Sequence, residues 1–158
     1  MPVIAAPADV RALLARTRTI AVVGLSPDPS RDSHRVASYL ADSGYRIIGV
    51  NPRYAAGDPD GRAEFRGEPV RASLSDIPDG DRRTVDLVDV FRRPEEALAV
   101  AREAARFRLP ALWFQLGCDS PEGVAEADRA GLAVVSGSCT MVAHRLLKPG
   151  RPERPPAR

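Results

Sequence analysis

Short apolar blocks alternate along this chain with longer stretches whose apolar residues recur every third or fourth position, the pattern of strands and helices in turn. Val10, Leu13 and Leu14 follow Asp9 at helical spacing and predict a short helix over 8–16 that leads into the run Ile20–Val23. Small and β-branched residues closed by Gly24 fit a buried parallel strand and its turn. Pro27 and Pro29 hold the next segment out of helix; from Ser33 a helix resumes, with Val36, Tyr39 and Leu40 on one stripe and Gly44 as its stop. Tyr45–Val50 reads as the second strand, ended by Asn51-Pro52. Residues 53–68 show little periodicity and predict a surface loop before a short third strand near Pro69-Val70, with a turn or short helix over 73–78. Further on, Thr84–Phe91 predicts a strand, Pro94–Phe107 a helix, Ala111–Leu116 a strand, and Pro121–Ala130 a helix capped by Ser120 and ended by Gly131. Leu132–Val135 and Thr140–Leu147 close the series as strand and helix.

That alternation has the spacing of βαβ units, so the expected fold is α/β: a doubly wound parallel sheet, Rossmann-like, in a single domain over 1–147. The stretch 148–158 holds four prolines without apolar periodicity and is expected to be a disordered tail. Composition narrows the function classes. With 44% hydrophobic and 28% charged residues the chain has a globular balance, and its apolar runs are too short to cross a bilayer. The first residues lack the features of a secretion signal, which predicts a cytoplasmic location. Two cysteines without CxxC spacing argue against a disulfide framework or a zinc ribbon, and no metal is expected. A net charge of +2 with the signs interspersed speaks against an extended nucleic-acid surface. Of the 23 basic residues only Lys148 is a lysine, so no phosphate loop ending in GK[ST] is present and arginine carries the cationic work.

Ligands of doubly wound sheets bind beyond the carboxyl ends of the strands. Four such places carry polar chemistry. GLSPDPSRDS after the first strand offers Gly24 for close backbone approach, the hydroxyls of Ser26 and Ser33, and Arg31 at a helix start; it is either an oxyanion cradle or a structural turn. It matches the dinucleotide fingerprint GxGxxG only in part. Asn51-Pro52 stands where an NAD-binding domain carries an acidic residue, and reads either as a ribose or adenine contact or as an Asx turn. Phe91-Arg92-Arg93 puts two guanidinium groups after the strand that begins at Thr84, where they are either phosphate ligands or a solvated pair. In Trp113-Phe114-Gln115-Leu116-Gly117 alternation places one of the two aromatics in the core, and Gln115 and Gly117 are the ligand neighbours. Cys139, just before the last helix, is a thiol at a helix N-terminus, reactive or simply buried. His144 lies about 140° further round that helix, so the two do not form a metal pair. His34 has no evident partner and reads as an exposed helix position.

The segments IAVVGLSPDPSRDSHRVASYL, GYRIIGVNP, VDLVDVFRRPEEA, ALWFQLG and the Cys139–His144 helix together resemble the small CoA-binding proteins, whose domain is similar to the N-terminal part of the succinyl-CoA synthetase alpha subunit. The resemblance spans about residues 15–147. It implies coenzyme A as cofactor, with Gly24, Ser26, Arg31 and Ser33 at the phosphates, and Asn51, Phe91, Arg92 and Arg93 at the adenosine end. Pro52 would line the nucleotide side, and Gln115 and Gly117 the rest of the cofactor. Cys139 and His144 match a cysteine and a histidine of these proteins, although the residues just before each of them differ here. The expected function is binding of coenzyme A or an acyl-CoA as a binding, carrier or regulatory module. No catalytic residue is assigned, no nucleic acid or membrane partner is expected, and an oligomer is compatible. The alternatives are an NAD(P)-binding oxidoreductase and a redox-sensing protein that uses Cys139.

Overall fold

The computed structural model describes residues 3–54 and 64–152. The chain opens with α1 (Pro7–Arg16) and β1 (Thr19–Val23), and continues through α2 (Asp32–Asp42) and β2 (Arg46–Val50). It then leaves the main sheet for β3 (Glu64–Phe65), β4 (Glu68–Pro69) and the single turn α3 (Asp79–Arg82). β5 (Leu87–Val90), α4 (Ala97–Arg106), β6 (Ala111–Phe114), α5 (Pro121–Arg129), β7 (Ala133–Ser136) and α6 (Thr140–Leu147) follow in strict alternation.

Five parallel strands pair in the order β2-β1-β5-β6-β7. The chain first steps from β1 to β2 on one side and then crosses to β5 on the other, so winding reverses between β1 and β5. Val23 faces Val50 on one neighbour and Val90 on the other, which brings three strand ends to the same level.

Helices cover both faces, as the doubly wound expectation required. Ala21, Val23, Val88, Val90, Leu112 and Phe114 point to the side of α4 and α5. The inward residues of those helices are small: Ala97, Ala101, Ala104 and Ala127 are all fully buried. An added Cβ on Gly123 would stand 3.0 Å from that of Ala97, so α4 and α5 touch at nearly backbone distance. Ile20, Val22, Leu87 and Trp113 point the other way, onto Leu13 and Leu14 of α1, Val36 and Leu40 of α2, and Ala143 and Leu147 of α6. Alternation along each strand therefore feeds two cores at once.

The departures from expectation have local causes. The third strand expected near Pro69-Val70 is β4, which pairs antiparallel with β3 apart from the main sheet. Arg46 holds it there: the guanidinium donates to both carboxylate oxygens of Glu68 and, at 3.0 Å, to Asp81. Beyond it, Arg71 makes one parallel bridge to Val50. Residues 55–63 of the expected loop lie outside the described residues. β5 begins later than Thr84 because that hydroxyl donates to the Asp81 carbonyl in a turn, and Asp86 accepts the backbone N–H groups of Arg18 and Thr19. Pro94–Glu96 forms a 3₁₀ turn ahead of α4. At the two ends, Val3 makes a parallel bridge to Val134 and the Ile4 N–H donates to its carbonyl at 2.7 Å. After α6, Arg11 donates to the carbonyls of Leu147 and Lys148, and Arg151 to that of Asp42. Residues 153–158 of the expected tail lie outside the described residues.

Candidate functional site

Two adjoining cavities open at the winding reversal, beyond the carboxyl ends of β1, β2, β5 and β6. The first, of about 510 Å³, is lined by Gly24, Ser26, Arg31, Ser33, Asn51, Pro52, Phe91, Arg92 and Arg93, together with Asp32, Arg53 and Tyr54. The second, of about 540 Å³, shares Phe91, Arg92 and Arg93 with the first and continues past Gln115, Leu116, Gly117, Cys118, Cys139, Met141 and Val142. Every residue singled out from the sequence as a ligand contact lines one cavity or both.

Local structure explains the first cavity. Gly24 has φ +91 and donates its N–H to Val50 at 2.7 Å, which turns the chain off β1. The loop that follows is braced internally: the Ser26 N–H donates to Ser33 Oγ, the Asp28 N–H to Ser26 Oγ, and His34 Nδ1 to the Ser26 carbonyl at 2.9 Å. His34 is thus half-buried and bonded, with Phe65 edge-on to its ring, rather than the exposed position expected. Asn51 is buried; its amide donates to the Leu25 carbonyl and its oxygen accepts the Arg53 N–H, the Asx turn that sequence alone left open. Its side chain braces the cradle wall.

Charge in this cavity is one-sided. Among the described residues, Arg31, Arg53, Arg92 and Arg93 line it against the single carboxylate of Asp32. Arg92 is paired with Glu96 at 2.7 Å and Asp32 with Arg35. Arg31 and Arg93 have no carboxylate partner among the described residues. Free guanidinium groups beside a helix N-terminus, the start of α2, favour an anionic ligand.

The second cavity is less polar and rests on a buried hydrogen-bond triangle. Gln115 donates to Asp89 at 2.6 Å and to Thr140 Oγ1 at 2.8 Å, and the Thr140 hydroxyl donates to the other Asp89 oxygen at 2.9 Å. Asp89 and Thr140 are fully buried. Among the described residues no cation offsets the carboxylate, and burial pushes its pKa up to about 7. Sequence reasoning missed Asp89, although an acidic residue flanked by apolar ones in LVDV was a signal. It also missed Cys118, on the turn after β6, whose thiol is pushed up by burial and by Asp89 and Asp119. Where alternation placed one of the two aromatics in the core, both are buried, Phe114 on one face of the sheet and Trp113 on the other, with the indole N–H donated to the Ser138 carbonyl.

His144 lines neither cavity. Its Nδ1 meets the Tyr39 hydroxyl at 2.8 Å, its ring stands edge-on to Tyr39 and Tyr45, and burial lowers its pKa. No helix among the described residues is long and apolar enough to cross a membrane.

Comparison with known proteins supplies the family context. A model of the CoA binding domain matches residues 18–145. The chain is 37% identical over 141 residues to YneT of Bacillus subtilis, described as uncharacterized, covering 89% of this chain and 96% of that one. It is also similar to the solved structure of cell-free ID.343 from Thermus thermophilus, with 37% identity, a TM-score of 0.79, and 90% and 99% of the two chains covered. The fold alone recurs in the dinucleotide-forming acetyl-coenzyme A synthetase 1 of Ca. Korarchaeum cryptofilum, with 22% identity, a TM-score of 0.59, and 77% of this chain against 26% of that one.

Proposed function

Because the chain belongs to the CoA binding domain family, we propose that it binds coenzyme A or an acyl-CoA in the cytoplasm, as a binding, carrier or regulatory module. The observation that carries this reading is the polarity gradient along the paired cavities. One end offers arginines, serine hydroxyls and a helix start; the other offers Leu116, Met141, Val142 and two thiols. Coenzyme A has the same gradient, an anionic nucleotide followed by a neutral pantetheine arm that ends in sulfur. The absence of an acidic residue at the end of β2, where Asn51 stands, disfavours NAD.

Arg31 and Arg93 test the anionic end. A charged hydrogen bond contributes about 1.5–3 kcal/mol, so Arg31→Ala with Arg93→Ala should weaken coenzyme A binding at least tenfold by titration calorimetry. Because neither arginine has a carboxylate partner among the described residues, the melting temperature of the free protein should stay within a few degrees. Unchanged affinity would remove the first cavity from the reading.

A second reading follows from the two thiols that line the second cavity. The protein senses disulfides of coenzyme A through Cys139. The Cys139 thiolate attacks one sulfur of coenzyme A disulfide, a protein–coenzyme A mixed disulfide forms, and the other coenzyme A leaves as thiolate. Cys118, its thiol pushed up, is the poorer nucleophile. Intact mass after mixing should show one adduct that Cys139→Ser abolishes and Cys118→Ser retains; no adduct on the wild type would end this reading.

A further inference from the structure

We infer that the preferred ligand is an acyl thioester of coenzyme A, rather than the free thiol; this rests on the coenzyme A reading above. Beyond the shared Phe91–Arg93 segment the lining of the second cavity turns apolar, with Val36, Leu116, Met141 and Val142. Two of these are exposed to water, Leu116 at 69% and Val142 at 48%. They come from different parts of the chain, the turn after β6 and the first turn of α6, yet meet around one space next to Cys118 and Cys139. A pantetheine arm that ends in a thiol at the cysteines leaves both side chains wet. An acyl chain that continues from the sulfur covers them and removes their surface, and its own, from water.

Of the charged residues that line this space, Asp32 is paired with Arg35 and Arg92 with Glu96, while Arg93 belongs to the segment shared with the first cavity, at the anionic end of the ligand. Gly117, at φ +75 with open space where a Cβ would stand, leaves the turn beside Leu116 uncrowded.

The test is calorimetry with coenzyme A, acetyl-, butyryl- and hexanoyl-CoA on the wild type and on Leu116→Ser/Val142→Ser. Burial of methylenes in an open cleft should raise affinity about two- to fourfold for each one added, and the double variant should flatten that slope. Both substitutions lie at the surface, and a melting curve confirms that the variant is folded. If coenzyme A binds but all chain lengths bind alike, or if the slope survives in the double variant, this inference falls and the coenzyme A reading stands. If neither coenzyme A nor any thioester binds, the coenzyme A reading itself falls. A sedimenting dimer that the double variant dissolves, with no chain-length slope, would assign the apolar pair to contact between copies and also overturn the inference.

Discussion

Gly24→Ala is expected to destabilise the protein by about 2–5 kcal/mol, the sum of left-handed backbone strain and overpacking, and to abolish coenzyme A binding. An alanine Cβ at this position would lie 2.4 Å from the Phe91 carbonyl oxygen and 2.9 Å from its carbon. Both atoms are backbone, so no flexible side chain can give way. Phe91 is itself tied down, its N–H donating to Val23 at 2.8 Å, while Gly24 donates to Val50. Relief therefore requires the ends of β1 and β5 to part at the place where Phe91, Arg92 and Arg93 enter both cavities. Urea unfolding and calorimetry read the two effects separately. A variant within about 1 kcal/mol of wild type that still bound coenzyme A would show that the contact is not needed.

Asp89→Asn should remove a pH dependence of stability that the wild type carries between about pH 4 and pH 7. The buried carboxyl has a pKa raised to about 7 from an ordinary 3.8. Between those values the native state holds a proton that the unfolded chain has released, so stability falls as pH rises and levels off above the folded pKa. The linkage amounts to as much as about 4 kcal/mol at 1.36 kcal/mol per pKa unit. His144, lowered by burial, acts in the opposite sense within part of this window. The readout is therefore the difference between wild type and variant in urea midpoint from pH 4.5 to 8. Asparagine keeps the shape and can hydrogen-bond Gln115 and Thr140, so the variant should be the more stable protein at pH 8. Parallel curves at all pH values would mean that Asp89 does not titrate in this range.

Much of this architecture was legible in the chain because its signals are local. Blocks such as Ile20–Val23 and Ala111–Phe114 declare buried parallel strands by composition, although the strand expected to run to Leu116 ends at Phe114, and Ser120 with Gly131 brackets α5 by cap chemistry: the serine side chain accepts the Gly123 N–H at 3.0 Å. The β3–β4 hairpin was not legible, since two-residue strands have no period and Arg46 fixes their position from a distance. Thr84 and Asp86 look like strand residues until their partners in a turn and on the neighbouring backbone are known. The candidate cavities were legible through one topological rule, which directs attention to strand ends, together with the family resemblance. Which of those residues brace the walls and which remain free was not. Asn51 and Gln115 are bound up in hydrogen bonds, whereas Arg31 and Arg93 have no carboxylate partner among the described residues, and only the folded chain makes that distinction.

The single bridges at the two margins of the sheet have a consequence for life in a crowded solution. β2 and β7 are the outer strands, and an outer strand displays unpaired N–H and C=O groups on which another molecule can polymerise. Here Val3 and Ile4 lie along β7 at Val134, while on the far side the Asn51 N–H donates to Arg71 and the Arg71 N–H to Gly49. The chain thus supplies its own blocking segments, a few residues at each margin. Removing residues 1–5 would leave the catalogue of buried side chains almost intact and yet bare one margin, so the cost should surface as concentration-dependent aggregation rather than as a lower unfolding midpoint.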